Sequence, residues 1–127
     1  MTARKVTFRL KAHSVADFIK TLENDVIPLL RKQKGFEDEI TFLVPGAREA
    51  VGISFWDKPE NAEAYSRGSY SKVLKALVSV LDGTPYVETW QVLNSTTHKI
   101  SAAVAAKRQW VRSRKRMSWG PPIKGEK

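Results

Sequence analysis

Apolar residues recur along this sequence with two periods, and the order in which the periods change restricts the fold. Segment 4–11 alternates strictly between polar and apolar residues, which predicts a half-buried strand. Segment 15–30 then places apolar residues on one face of a helix, behind Ser14 as a candidate N-cap. Because Pro28 lacks a backbone donor, we expect this helix to kink near Asn24.

The rest of the pattern completes a known arrangement of strands and helices. Segments 36–44 and 49–56 predict strands, and the short turn between them makes an antiparallel hairpin. Helical spacing follows over 57–81 with a break at Gly68, and segment 86–93 is rich in residues typical of strands. The sequence therefore predicts an α+β fold, a ferredoxin-like βαββαβ unit with a four-stranded antiparallel sheet and both helical regions on one face.

The helices cover only one face of such a sheet, so the residues on the opposite face indicate what packs against it. From the alternation we expect the helices to cover the larger side chains of the third strand, Val51, Ile53 and Phe55. That leaves on the open face the small residues and their neighbours, Thr7, Arg9, Ala50, Gly52, Ser54 and Trp56. Small residues suit the close approach of a second sheet, and no aromatic platform for RNA bases is predicted there. We expect this face to pair with another copy of the chain.

Composition excludes several kinds of site. The 127 residues suit one domain with an appendage, and none is cysteine, which excludes disulfides, thiol catalysis, iron–sulfur clusters and thiolate zinc sites. We expect a cytoplasmic location, since residues 1–10 are unlike a signal peptide and no apolar run could span a membrane. No phosphate-binding loop or metal-ligand cluster is recognised, so no metal site is predicted, and Glu37, Asp38 and Glu39 are interpreted as a solvated edge strand.

Basic residues are concentrated at the end of the chain. Residues 98–127 carry 9 of the 22 Lys and Arg but one of the 13 Asp and Glu. We divide the chain into a domain over 1–97 and a basic extension over 98–127, helical to about residue 118. Three interpretations stay open for its basic cluster: contacts with nucleic-acid phosphates, contacts with anionic lipid, or a solvated arm. The cluster consists of Arg112, Arg114, Lys115 and Arg116.

Four landmarks in the sequence resemble the antibiotic biosynthesis monooxygenase family of the dimeric α/β-barrel superfamily. They are the Gly35-Phe36 pair, the strand end Ile53-Ser54-Phe55-Trp56-Asp57, the segment Pro59-Glu60-Asn61-Ala62-Glu63-Ala64-Tyr65, and Gly83-Thr84-Pro85. The resemblance covers about residues 4–94. No single motif is diagnostic, but the order and spacing of the four together are fairly specific.

The resemblance implies a homodimer in which two sheets pack face to face as a barrel, with a small-molecule cavity between sheet and helices. Some family members oxidise aromatic, polyketide-like molecules with molecular oxygen and without metal or flavin, so no cofactor is expected. A related branch degrades haem with an Asn in the first strand and a His after the third. The corresponding positions here fall near Val6 or Thr7 and near Ser66, so haem degradation is not expected.

The resemblance places one candidate residue beside this cavity, and other aromatic and titratable side chains add further candidates. Trp56 is the first of them, with packing at a strand end or dimer seam as the alternative. Tyr65, Tyr70 and Trp90 could add an aromatic wall, although Tyr70 also fits the helical core stripe. His13 is either a general base or an exposed loop residue. We expect a protein that binds a small aromatic molecule, with its oxidation as an open interpretation; the alternatives are a non-catalytic ligand binder or an interaction protein using its basic tail.

Overall fold

The computed structural model describes residues 1–46 and 48–100. Four strands form one antiparallel sheet in the order β2-β3-β1-β4, so β3 and β1 are central. The α+β, ferredoxin-like fold is confirmed. The strands are β1 (Thr2–Arg9), β2 (Phe36–Leu43), β3 (Glu49–Trp56) and β4 (Tyr86–Gln91), and the helices are α1 (Val15–Thr21), α2 (Ile27–Arg31), α3 (Pro59–Arg67) and α4 (Tyr70–Leu77).

The first helical region is interrupted where the proline predicts it. A π-helical segment, Leu22–Val26, separates α1 from α2, and the Ile27 N–H donates to the Leu22 carbonyl. Pro28 has no N–H to return to the carbonyl four residues earlier, so the α-helical hydrogen-bond pattern cannot continue through this turn. The expected cap differs. Ser14 occupies the N-cap position, but its hydroxyl donates to the Ala12 carbonyl at 3.4 Å instead of capping α1.

The predicted assignment of sheet faces is wrong for β3, whereas in β1 Thr7 and Arg9 lie on the open face as predicted. Ala50, Ser54 and Trp56 are buried beneath the helices together with Val6 and Phe8 of β1. The register explains the inversion, because directly paired residues share a face and Val6 pairs with Gly52. The larger residues of β3 therefore lie on the open face, Val51, Ile53 and Phe55. Small residues in β3 leave room under the helices and do not provide a flat contact surface.

The open face is apolar and carries aromatic rings, which the sequence interpretation missed. Ile40 and Phe42 of β2 and Tyr86 and Trp90 of β4 are between 45% and 65% exposed. Lys5 lies at the centre of this face, pairs with Glu88 at 3.5 Å and stands 5.4 Å from the Trp90 ring. Exposed apolar patches of this kind mark interaction surfaces.

The end of the chain is described only in part. Met1–Gln91 form one compact unit and a second begins at Val92, while the predicted boundary between residues 97 and 98 stays a prediction. Residues 98–100 are not helical, and the rest of the predicted helix lies outside the described residues, with the basic cluster Arg112, Arg114, Lys115 and Arg116. In the described ranges no helix has the length and apolar character that crossing a bilayer requires. The cytoplasmic location stays a prediction.

A tight turn at Gly35 fastens the second strand to the third. Gly35 has a φ of +82°, and its carbonyl accepts a hydrogen bond from the Asp57 N–H at 2.9 Å. The Asn61 amide donates to the Asp57 carboxylate at 2.7 Å. A Cβ atom on Gly35 would lie 2.3 Å from that carboxylate and 2.5 Å from the Asn61 amide nitrogen. Three positions that carry the family resemblance are thus in contact.

Replacing Gly35 tests this contact. We expect Gly35→Ala to lower the free energy of unfolding by about 2–4 kcal/mol, since both backbone strain and a clash oppose the new side chain. Gly83→Ala is the matched control, because Gly83 has a φ of +87° and nothing within 4 Å of the added Cβ. The control should cost only about 1 kcal/mol of strain in urea denaturation. Equal losses in the two variants would contradict the close packing of Gly35.

Candidate functional site

A cavity lies between the sheet and the helices, where β3 carries small side chains. Its walls include Val6 and Phe8 of β1, Gly52 and Ser54 of β3, and Leu22 of the π-helical segment. The cavity volume is about 40 Å³. That volume holds one or two water-sized groups, such as the oxygens of a carboxylate, but not a ring. Because several polar side chains also line it, we call this cavity the polar chamber.

Arg4 is the cation of the polar chamber. It is 3% exposed, and its guanidinium carbon lies 5.1 Å from the Tyr65 ring centroid and 4.1 Å from that of Tyr70. Its Nε donates to the Ser66 hydroxyl at 2.8 Å. Within the part of the chain that the structure describes, Arg4 forms no ion pair with a carboxylate. Arg4 also forms a hydrogen bond with the Tyr70 hydroxyl. A buried cation held by π faces and hydroxyl groups, with no carboxylate partner in the described ranges, remains available to an anion.

Glu39 is the carboxylate of the polar chamber. It lies on β2, lines the chamber and accepts a hydrogen bond from the Thr41 hydroxyl. Burial raises the pKa of Glu39, the Thr41 hydrogen bond opposes the shift and the charge of Asp38 adds to it. The interpretation of residues 37–39 as a solvated edge strand is therefore wrong for Glu39. A register shift between Phe36 and Asp38 precedes Glu39 in β2. The Glu39 side chain therefore lies on the face of the sheet that the helices cover.

Two tyrosines form the wall opposite the sheet. Burial raises the pKa of Tyr65 to about 12, against the opposing charge of Arg4. Burial also raises the pKa of Tyr70, again opposed by Arg4. Both phenols are therefore neutral at physiological pH and can donate hydrogen bonds into the chamber. The two rings lie 5.9 Å apart, centroid to centroid.

A second cavity adjoins the first. It has a volume of about 220 Å³, and Leu22 and Thr41 line both cavities. Its other walls are mainly apolar side chains of α1 and of the β2–β3 hairpin, among them Val15, Phe18, Ile19, Leu43 and Ala50. An apolar cavity of roughly 150 Å³ is enough to bind benzene. We call this cavity the apolar chamber.

The structure brings together only some of the predicted pocket residues. Tyr65 and Tyr70 line the polar chamber. Trp56 is fully buried and lines neither chamber; its ring stacks on Tyr65 at 5.1 Å, and its Nε1 donates to the Ser54 hydroxyl at 2.9 Å. Trp56 thus supports two wall residues from behind. Trp90 lies on the open face, and His13 lies in an exposed loop with a φ of +60°.

Sequence reasoning missed the two charged residues of the chamber. Arg4 falls on the same side of the β1 alternation as Val6 and Phe8, and that position was a signal of burial. Glu39 offered no comparable signal, since its neighbours are acidic and its orientation depends on the register shift in β2. Over residues 1–46 and 48–100, no group of three His, Cys, Asp or Glu side chains could hold a metal ion.

The chamber combines a proton acceptor with a fixed cation. The Glu39 carboxylate has a raised pKa, which strengthens it as a base once it is ionised. Arg4 can stabilise the negative charge that remains on a group after it loses a proton. Neutral tyrosine hydroxyls and the Ser54 hydroxyl can orient oxygen atoms of a ligand. This set of groups is suited to removing a proton and holding the resulting organic anion.

Comparison with known proteins identifies the fold class. No protein-family model matches this chain, and no curated protein does. Solved structures do match, among them antibiotic biosynthesis monooxygenase-like proteins, and the chain has their fold. All of the similarities below are under 25% identical in sequence and concern the fold alone.

Three structures represent these matches. SnoaB of Streptomyces nogalater, a cofactor-independent oxygenase, is 13% identical, with a TM-score of 0.61, 76% of this chain and 97% of that chain covered. A Bordetella bronchiseptica protein, assigned by name to the antibiotic biosynthesis monooxygenases, is 13% identical, with a TM-score of 0.63, 73% of this chain and 98% of that one covered. A Nitrosomonas europaea protein of unknown function is 17% identical, with a TM-score of 0.64 and coverages of 75% and 91%.

The burial of Glu39 predicts a pH-dependent stability. Below its usual pKa of 4.5 the carboxyl is neutral in the folded and unfolded chain. As the pH rises above this value, the unfolded chain releases the proton first, so the free energy of unfolding falls. Glu39→Gln removes this loss. In urea denaturation, the variant should gain stability relative to the wild type between pH 4 and pH 7.

A matched variant guards against a general charge effect. Glu37→Gln removes the same charge at an exposed position two residues away in β2. For each variant, the quantity to compare is its gain in stability over the wild type between pH 4 and pH 7. If this gain is the same for Glu39→Gln and Glu37→Gln, the burial of Glu39 does not oppose its ionisation.

Proposed function

We propose that this protein binds and oxidises a small aromatic or polyketide-like molecule with molecular oxygen, without metal or flavin. The observation that carries the proposal is that a buried cation, Arg4, and a carboxylate of raised pKa, Glu39, line the same chamber between sheet and helices. The similarity in fold to a cofactor-independent oxygenase supports it.

Oxidation without a cofactor needs a substrate that becomes electron-rich on losing a proton. In the proposed reaction, Glu39 accepts a proton from an activated methylene or phenolic group, and Arg4 stabilises the anion. The anion supplies the electrons that reduce oxygen. For a methylene group the balance is one substrate and one O₂ giving one ketone and one water, so one oxygen atom enters the product. The protein holds the substrate and excludes water.

Oxygen uptake tests this reaction. With single-ring substrates such as hydroxylated acetophenones, we expect uptake above the rate without protein, reduced about 100-fold in Glu39→Gln by loss of the base. Gly52→Ala should also reduce it, because the added Cβ fits at 3.5 Å from Phe8 and 3.6 Å from the Glu39 carboxylate but occupies the chamber. Arg31→Gln, at the exposed end of α2, should leave the rate unchanged.

The alternative of a non-catalytic ligand binder is distinguished by the same assay. Binding of an aromatic compound without oxygen uptake on any compound tested would support the binder and reject the oxygenase. Trp56→Phe adds a check on the supporting role of the indole, because it removes the N–H donated to Ser54 while keeping a ring against Tyr65. We expect a smaller loss of rate than for Glu39→Gln.

We further propose that the protein works as a homodimer joined through the open sheet face. Ile40, Phe42, Tyr86 and Trp90 leave that face apolar, and its central charges, Lys5 and Glu88, neutralise one another. A neutral, apolar face suits a second copy better than the phosphates of a nucleic acid, which favour concentrated positive charge. The sequence interpretation based the dimer on small residues that would let a second sheet approach closely. The open face instead supports the dimer through exposed aromatic rings that a second copy would bury.

A charge on the open face should separate the dimer. Ile40→Glu introduces a carboxylate on the central row of the face, opposite Ile53, and we expect it to shift sedimentation velocity from dimer to monomer. The matched control is Val78→Glu, which places the same charge at a 66% exposed position just after α4. A monomeric wild-type protein, or a dimer that persists in Ile40→Glu, would contradict the proposed interface.

A further inference from the structure

The two chambers divide the polar and apolar requirements of a ligand between them. The polar chamber holds a buried cation and a carboxylate, but its 40 Å³ cannot accept a ring. The apolar chamber, at 220 Å³, accepts a ring, and none of the residues lining it is charged. A ligand that fills both must be amphipathic, with a small oxygen-bearing head and an apolar body about the size of a substituted benzene ring.

The boundary between the chambers is short. Leu22 and Thr41 belong to the walls of both, so one side chain from the helical layer and one from the sheet separate them. Leu22 lies in the π-helical segment, where its carbonyl accepts a hydrogen bond from the N–H of Ile27, five residues further on. A π-helical turn displaces its side chains relative to a regular helix, and such turns frequently occur at ligand sites.

The charged residues of the polar chamber determine whether the head group of the ligand binds as an anion. Arg4 is 3% exposed and lacks a carboxylate partner in the described ranges, so an anion bound beside it replaces lost hydration. Glu39 faces the same chamber, and an ionised Glu39 would repel that anion. The other titratable groups of the chamber are Tyr65 and Tyr70, which stay neutral, while Asp38 adds further negative charge near Glu39.

We propose that this site selects an amphipathic aromatic acid, bound as its anion against Arg4 with its ring in the apolar chamber, and that Glu39 takes up a proton when a preformed anion binds. The inference rests on the proposed function, and it names the substrate class and the proton linkage of the same site. For a substrate that arrives as the neutral acid, the proton lost by the ligand is the one that Glu39 gains. For a ligand that arrives already ionised, the proton comes from solvent and Glu39 no longer serves as the base, so such a ligand binds as an analogue of the substrate anion and is not oxidised.

Benzoate and benzamide make a matched pair of probes. They have nearly the same shape, and only benzoate carries a charge between pH 5.5 and pH 8. By calorimetric titration of the full chain we expect benzoate to bind about ten-fold more tightly than benzamide at pH 5.5, the advantage of a charge-assisted hydrogen bond. The preference should decline as the pH rises, because an increasing free energy is needed to protonate Glu39.

Proton uptake is measured directly by repeating the benzoate titration in buffers of different ionisation enthalpy. In the wild type we expect uptake that approaches one proton per benzoate at the upper end of the pH range. Glu39→Gln should bind benzoate with no uptake and with an affinity independent of pH. Uptake that persists in Glu39→Gln would overturn the proposed linkage.

Variants on each side of the boundary assign the two parts of the ligand. Arg4→Gln should abolish the preference for benzoate over benzamide, whereas Arg31→Gln should retain it. Ile19→Trp, which introduces bulk at a 46% exposed position lining only the apolar chamber, should weaken both probes and keep their ratio. If Arg4→Gln does not fold, the comparison of wild type with Glu39→Gln across pH carries the test instead.

The outcomes separate this inference from the proposed function. Benzamide binding as tightly as benzoate, or both probes indifferent to Ile19→Trp, would overturn the inference even if oxygen uptake is observed. A benzoate preference with the expected proton uptake, but with no oxygen consumption on any compound, would support the inference and overturn the oxygenase.

Discussion

The pairing register of the two central strands controls both the site and the exposed surface of this protein. Val6 of β1 pairs with Gly52 of β3, so the small residues of β3 share a face with the apolar residues of β1. The helices pack on that face, and a glycine beneath them leaves space instead of a packed side chain. The other face then carries Val51, Ile53 and Phe55. A shift of one residue would reverse every one of these positions.

Arg4 gives the cavity its chemical character. Burying a guanidinium is costly unless other groups replace its hydration, and here two aromatic rings and the Ser66 hydroxyl do so in part. Its positive charge also opposes the rise in the pKa of Tyr65 and Tyr70. This costly burial, with incomplete pairing within the described ranges, is the basis for the anion site proposed above.

The aromatic residues near the site have different tasks despite their common chemistry. Trp56 packs between Phe36 and Tyr65 and donates a hydrogen bond to Ser54. It therefore supports residues that line the polar chamber but does not line the chamber itself. Tyr65 and Tyr70 face both Arg4 and the cavity. The first helical region contributes through Leu22, whose position in the π-helical segment depends on the proline that interrupts α-helical bonding. Packing, polarity and cavity shape thus come from separate elements of the fold.

The sequence by itself determined the order of strands and helices, the break at Gly68 and the distortion before Pro28, because local periodicity and backbone chemistry act within each segment. It also indicated Tyr65 as a candidate pocket residue through its aromatic ring. Tertiary structure decided which face of β3 is covered, since β3 carries apolar or small residues on both sides and only pairing with β1 distinguishes them. It likewise decided the burial of Glu39, which depends on a register shift between β2 and β3 that neither strand encodes alone.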